Sequence, residues 1–379
     1  IGESLLPYNN DLFARLGVAD QLAKGDFHPK YGADFVTGDG KVGCSFRFDQ
    51  TLDDPYRQSY QVKRAEFDHL LLRNASANGV EVREETAVAS VDLADPARAV
   101  VRTRKGEALE ARFVVDASGH GAVLGTRVGA KSDIPSLKKI AVFAHYRGVV
   151  RAEGKAGGST VIVVLKNAWF WLIPVSAETM SVGLVVDRDH VVQCGLTPEQ
   201  ILEKTIAETP WVAERMIGAE RLTQVYARKD FSFQMRNMAG PNFALVGDAA
   251  GFLDPIFSTG VFMAMKSADI VSEAATVLLR TGSMKPLRRY ERDFTGALEK
   301  YFRFITKFYE RPFLEVFMQP SPRFGLMRPI IGVLAGDIFA SRQSRFKLGI
   351  FFFLVRLQKL RGGIAPRIDW ETLPAAATA

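Results

Sequence analysis

Two turns of this chain have the composition of a ligand cradle. In Val246-Gly247-Asp248-Ala249-Ala250-Gly251 an apolar strand runs into Gly-Asp, two alanines and a glycine. Small residues let the backbone approach a phosphate, and the N-terminus of a following helix stabilises an anion. The Asp248 carboxylate could accept hydrogen bonds from sugar or polyol hydroxyls. Pro255 and Ser258-Thr259-Gly260 continue the same loop. About 130 residues earlier, Val114-Val115-Asp116 leads into Ala117-Ser118-Gly119. A strand that ends in Asp and a small-residue turn is how α/β folds offer backbone amides to a ligand. Either segment alone also reads as an ordinary turn with a capping aspartate. A third segment, Trp169-Phe170-Trp171-Leu172-Ile173-Pro174, alternates along a strand, so Trp169, Trp171 and Ile173 share one face as a rigid apolar wall.

The elements that must hold these residues can be read from periodicity. Residues 10–16 form a capped amphipathic helix, and residues 31–49 are extended around a turn at 38–40. Val62, Phe67, Leu70 and Leu71 give helical spacing over 62–78, closed by Gly79. Strands follow at 80–83, 89–93, 99–103 and 112–116. The strand-rich block 140–190 predicts an antiparallel sheet forming a second layer. Residues 198–217 are helical, 242–248 form a buried strand, and helices follow near 259–280, 286–318 and 326–361. The last group carries aromatic and basic faces, as in Tyr301-Phe302-Arg303-Phe304 and Phe308-Tyr309-Glu310-Arg311.

Composition narrows the function classes. A hydrophobic fraction of 47% and a charged fraction of 24% are those of a globular protein. The net charge of +7 comes without a dense basic run, which argues against nucleic-acid binding. Cys44 and Cys194 match no metal or redox spacing and read as small buried hydrophobes in a reducing, cytoplasmic setting. The five histidines, His28, His69, His120, His145 and His190, are scattered, so no metal site is expected. The apolar run Leu348–Val355 is too short to span a membrane.

Taken in order along the chain, these motifs resemble the flavin-dependent halogenases. Trp169-x-Trp171-x-Ile173-Pro174 fits their W-x-W-x-I-P motif, and the Asp116–Gly119 and Gly247–Gly251 turns match their second and third flavin contacts. Gly2-Glu3-Ser4 is similar to the G-E-S stretch after their first βαβ unit, and His28-Pro29-Lys30-Tyr31-Gly32 to the segment carrying their essential lysine. The resemblance is nearest to halogenases of phenols, pyrroles or carrier-bound groups.

It implies an α/β (α+β) fold with a Rossmann-like FAD-binding domain of the glutathione-reductase and hydroxylase type. The FAD-binding part would span 1–135 and return at 236–285 with GDAAG. An antiparallel substrate layer would span 136–235, and a C-terminal helical region 286–379. Lys30 would be catalytic. Ser4, Arg64, Asp116, Gly119, Gly247, Asp248, Gly251 and Pro255 would bind FAD, and Thr259 and Gly260 the halide. Reduced FAD from a separate flavin reductase, O₂ and chloride or bromide would yield a hypohalous acid that reaches Lys30. The substrate would be an electron-rich aromatic in secondary metabolism, free or on an acyl carrier protein.

Two departures stand out. Tryptophan halogenases carry a glutamate where this chain has Phe257, which points away from free tryptophan and towards a self-activating substrate such as a phenol. No G-x-G-x-x-G follows a strand: the glycines at 121 and 125, and at 154, 157 and 158, lack that context. The first βαβ unit is therefore expected to be missing before Ile1, as in an N-terminally truncated chain that would bind FAD poorly. A flavin monooxygenase or isoprenoid-lipid reductase of the same fold, and a non-catalytic remnant, are the competing readings.

Overall fold

The computed structural model describes residues 2–125, 128, 131–134, 137–229, 232–318, 327–337 and 342–378. Its centre is an eight-stranded sheet. In order across it run Glu220–Arg221, Lys139–Arg147, Thr179–Asp187, Ala168–Pro174, Thr160–Val164, Gly32–Thr37 and Gly43–Arg47, with Tyr226–Lys229 also paired to Lys139–Arg147. The pairs within 139–187 are antiparallel, as the alternation predicts. The segment 31–49 joins the same sheet, because Gly32–Thr37 pairs in parallel with Thr160–Val164.

The sheet is buried on both faces. Trp169, Trp171 and Ile173 share the core with Phe143 and Val185 on one side. Phe170 and Leu172 pack with Val142, Val182 and Leu184 on the other. Helices Pro198–Glu208 and Pro210–Arg215 cover that second face through Ile201, Leu202 and Val212. Thr197 accepts from the Gln200 N–H, and the Gln200 side chain returns to Thr197, so a capping box starts the first of these helices.

A separate parallel pair, Val114–Asp116 beside Phe243–Leu245, carries the two ligand-type turns at its carboxyl ends. The helix Gly260–Thr281 follows the second turn. Lys285–Phe308 buries Leu287, Tyr290, Phe294, Leu298, Tyr301, Ile305 and Phe308, and their spacing of three and four residues explains why it is a helix. Shorter helices, Arg311–Phe317, Met327–Ala335 and Arg342–Arg361, complete the C-terminal region.

Residues 80–83 do not form the expected strand; strands resume at Val88–Asp95. Glu81 and Arg83 instead pair with each other on the surface, where alternation has no sheet to join. Cys44 is half-buried, Cys194 is buried and both are free thiols. No helix among the described residues is long and apolar enough to cross a membrane, and no group of three or more His, Cys, Asp or Glu among them could hold a metal.

Candidate active site

A cavity of about 750 Å³ lies between the tryptophan strand and the two turns. Of the residues singled out from sequence, it brings together Ser4, Arg64, Gly119, Trp169, Trp171, Ile173, Gly247, Asp248, Pro255 and Gly260. Lys30, Asp116, Pro174, Gly251 and Thr259 do not line it.

The wall is set by register. Trp171 stands opposite Gly183 on the neighbouring strand. A Cβ on Gly183 would lie 2.1 Å from the indole, so only glycine leaves room for the ring there. Trp171 Nε1 donates to Ser181 Oγ at 3.1 Å, and Trp169 Nε1 donates to Tyr309 Oη at 2.9 Å. Tyr309 in turn donates to Asp254 at 2.9 Å. Burial raises the Asp254 carboxyl to about 6, against the pull of the Ile256 N–H and the Tyr309 hydroxyl. A buried chain therefore ties the wall to the loop that precedes Ser258.

The floor is backbone. Gly119 and Gly247 adopt φ of 65° and 59°, a region open to glycine at no steric cost. Asp116, on the expectation a flavin contact, spends its carboxylate on its own turn: it accepts from the Ser118 N–H at 2.9 Å and the Leu124 N–H at 2.7 Å. It shapes the cradle from behind. Asp248 does face the cavity. Burial raises its carboxyl, while the nearby His120 and Arg64 oppose that.

Ser258 has φ of 56°, rare outside glycine, and sits directly before the first turn of Gly260–Thr281. That helix has no side-chain cap. Its first N–H groups lack intrahelical acceptors, and the dipole favours an anion there. Thr259 is the buried N-cap residue, and Gly260 opens onto the cavity.

Several lining residues went unnoticed in the sequence. Arg228, Lys229 and Lys131 join Arg64 as a cationic rim, and His120 reaches Asp248 at 3.4 Å. Glu3 is buried with Oε1 2.5 Å from His145 Nε2. Scattered in sequence, these residues give no local signal; only Glu3 lies inside a motif, Gly2-Glu3-Ser4. The set suits a flavin nucleotide: cations for phosphates, glycine turns for close approach, and indoles beside a planar ring.

Lys30 lies outside this cavity, at the end of the short strand His28–Lys30. It is 2% exposed, and its Nζ donates to the Leu5 carbonyl at 3.0 Å. No carboxylate among the described residues pairs with it, and burial alone pushes its ammonium down to about 7. Ser4 and Thr160 line the cavity on the side towards this strand, joined Oγ to Oγ1 at 2.9 Å.

Comparison with known proteins decides the assignment. The tryptophan halogenase family model matches residues 46–312. The chain belongs to the tryptophan halogenase family. It is 27% identical to a 1H-pyrrole-2-carbonyl-[peptidyl-carrier protein] chlorinase of Pseudomonas fluorescens, over 90% of this chain and 82% of that protein. It is 31% identical to the corresponding brominase of Pseudoalteromonas luteoviolacea, over 72% of this chain and 68% of the relative. A solved flavoprotein/dehydrogenase from Cytophaga hutchinsonii superposes with a TM-score of 0.86 at 28% identity, covering 95% of this chain and 89% of that one. The mixed α/β architecture is the FAD-binding fold of these halogenases, and Phe257 keeps its place in the site loop as a buried aromatic packed on Phe304 and Phe308.

Proposed function

We propose that the protein is an FADH₂-dependent halogenase that uses O₂ and chloride or bromide to halogenate a phenol- or pyrrole-type aromatic, free or on a carrier protein, with Lys30 as its catalytic residue. The observation that carries this reading is Lys30 itself. A fully buried lysine without a counter-ion is costly, and such groups are kept where chemistry uses them.

The residues divide the work. Arg64, Lys131, Arg228 and Lys229 would neutralise the phosphates of FAD, and Gly119 and Gly247 would admit it closely. Reduced flavin, supplied by a partner reductase, would give O₂ the electrons that bring it to the peroxide level, from which it can oxidise the halide. The amides at Thr259 and Gly260 would hold that halide. Trp169 and Trp171 exclude water, which strengthens every charge effect inside.

Lys30 Nζ then holds or gives a proton. As an ammonium it donates to the oxygen of hypohalous acid. The carbon–halogen bond forms, the halogen–oxygen bond breaks, and the lysine proton leaves with the oxygen as water. The free amine accepts the proton released by the ring. A group titrating near 7 serves both directions. Phe257 offers no charge to a cationic ring intermediate, so the substrate must supply its own activation, as phenols and pyrroles do.

The test supplies the full-length protein with FAD, a flavin reductase, NADH, O₂ and either halide. Phenols and a pyrrole-2-carbonyl carrier protein are offered, with Lys30→Ala alongside. A product with the halogen isotope pattern that disappears in the variant supports the reading. Hydroxylated or reduced product formed without halide overturns it in favour of a monooxygenase or reductase.

A further inference from the structure

The strand that carries Lys30 pairs antiparallel with Ser59–Gln61, and Lys30 stands directly opposite Ser59. Opposed residues of an antiparallel pair project to the same face, with Cβ atoms about 5 Å apart. Gln61, two residues on from Ser59, shares that face. All three side chains are buried: Lys30 is 2% exposed, Ser59 and Gln61 0%.

The Gln61 amide has a fixed orientation. Its Nε2 donates to the Gly158 carbonyl at 3.3 Å, which can only accept, and to Thr160 Oγ1 at 2.9 Å. Its Oε1 must therefore point the other way. Among the described residues, Gln61 Oε1 and Ser59 Oγ have no hydrogen-bond partner. Unsatisfied buried polar atoms are rare and call for a small polar partner. On the same face, Lys30, whose nitrogen has the Leu5 carbonyl as its one hydrogen-bond acceptor among the described residues, keeps further donor capacity.

We infer that Lys30, Ser59 and Gln61 form a binding station for one small neutral molecule with a hydroxyl group, which in this enzyme is hypohalous acid. The inference rests on the proposed role of Lys30. The oxidant's hydroxyl donates to Gln61 Oε1, and its oxygen accepts from Lys30 Nζ and Ser59 Oγ. The halogen is then the end left free for the substrate. Ser4 and Thr160 connect the station to the main cavity, since Thr160 Oγ1 meets both Ser4 Oγ and Gln61 Nε2. Gln61 is thus a binding residue on its Oε1 side and a gatepost on its Nε2 side.

Two measurements test this. The first needs no flavin. Gln61→Glu places a carboxylate where Oε1 points, and the pH at which an amine reagent labels Lys30, read by peptide mass spectrometry, is expected to rise by at least about one unit. An unchanged labelling curve overturns the placement. The second follows the oxidant in the full-length enzyme with its reductase. In Gln61→Met and Ser59→Ala, oxidant made at the flavin cavity is counted as halogen on substrate and scavenger together. Halogenated product per NADH falls about tenfold to a hundredfold, as expected for one lost hydrogen bond to a reactive group, and halogen captured by an external scavenger rises to match. Unchanged product per NADH, or substrate and scavenger halogen falling together, overturns the station. Lys30→Ala separates the two ideas: if it still halogenates, the assignment of Lys30 fails, whereas if it is inactive while both neighbours are neutral, only the station fails.

Discussion

Lys30→Met is expected to stabilise the protein at neutral pH while abolishing halogenation. The side chain is buried, unpaired by any carboxylate among the described residues, and held by one hydrogen bond to Leu5. Its ammonium falls from 10.5 to about 7. By linkage that difference is worth about 5 kcal/mol against the folded state. Below pH 7 both states carry the proton and the folded state bears the full cost. Between pH 7 and 10.5 only the unfolded chain stays protonated, so wild-type stability rises with pH, and above 10.5 the cost is gone. Methionine fills similar volume without the charge. Allowing about 1 kcal/mol for the lost bond to Leu5, the variant gains on the order of 2–4 kcal/mol at pH 7, and the gain shrinks towards zero near pH 10. Chemical denaturation of both proteins at pH 7 and 9.5 measures this. A stability difference that does not change with pH would refute the argument, because it would mean that Lys30 titrates like a solvated lysine.

Three further substitutions probe the site. Gly183→Ala puts a methyl against the Trp171 ring; at least about 1–3 kcal/mol of stability should be lost, with a shifted tryptophan fluorescence maximum marking the displaced indole. Phe257→Glu buries a carboxylate among Phe304 and Phe308; it should cost about 3–5 kcal/mol in thermal or denaturant unfolding and should not confer activity on free tryptophan. Asp254→Asn keeps the acceptor for the Ile256 N–H but removes the titration. Since the Asp254 carboxyl is raised from 3.8 to about 6, the wild type should lose up to about 3 kcal/mol relative to the variant as pH rises from 4 to 6, read as diverging unfolding midpoints.

The sequence was most informative where a few neighbouring residues determine their own geometry. The Trp169-Trp171-Ile173 face follows from alternation alone and is observed as such. The helix expected at 62–78 appears as Arg64–Ala77. The two turns lie at the ends of the parallel pair, as their small residues suggest. What stayed illegible depends on which strand meets which. Gly183 is an unremarkable residue until Trp171 stands opposite it, and Gln61 and Ser59 acquire meaning only from pairing with Lys30. Asp116 shows a role that residue type alone does not announce: its carboxylate accepts from the Ser118 and Leu124 N–H groups and so holds its own turn in shape. The strand expected at 80–83 failed because a four-residue alternation is weak evidence without a partner to hydrogen-bond.

The parallel pairing of Gly32–Thr37 with Thr160–Val164 has a consequence for how the molecule assembles. Ala33 meets Thr160 across a long stretch of chain, and such non-local pairings form late, because the entropy of closing the loop must be overcome first. Lys30 lies two residues before this strand. Its ammonium therefore stays hydrated while the antiparallel hairpins of 139–187 form, and is dehydrated only when residues 28–37 close onto the finished sheet. The end of the molecule that carries Lys30 should be the last to acquire amide protection during refolding, and among the first to open when the protein is warmed.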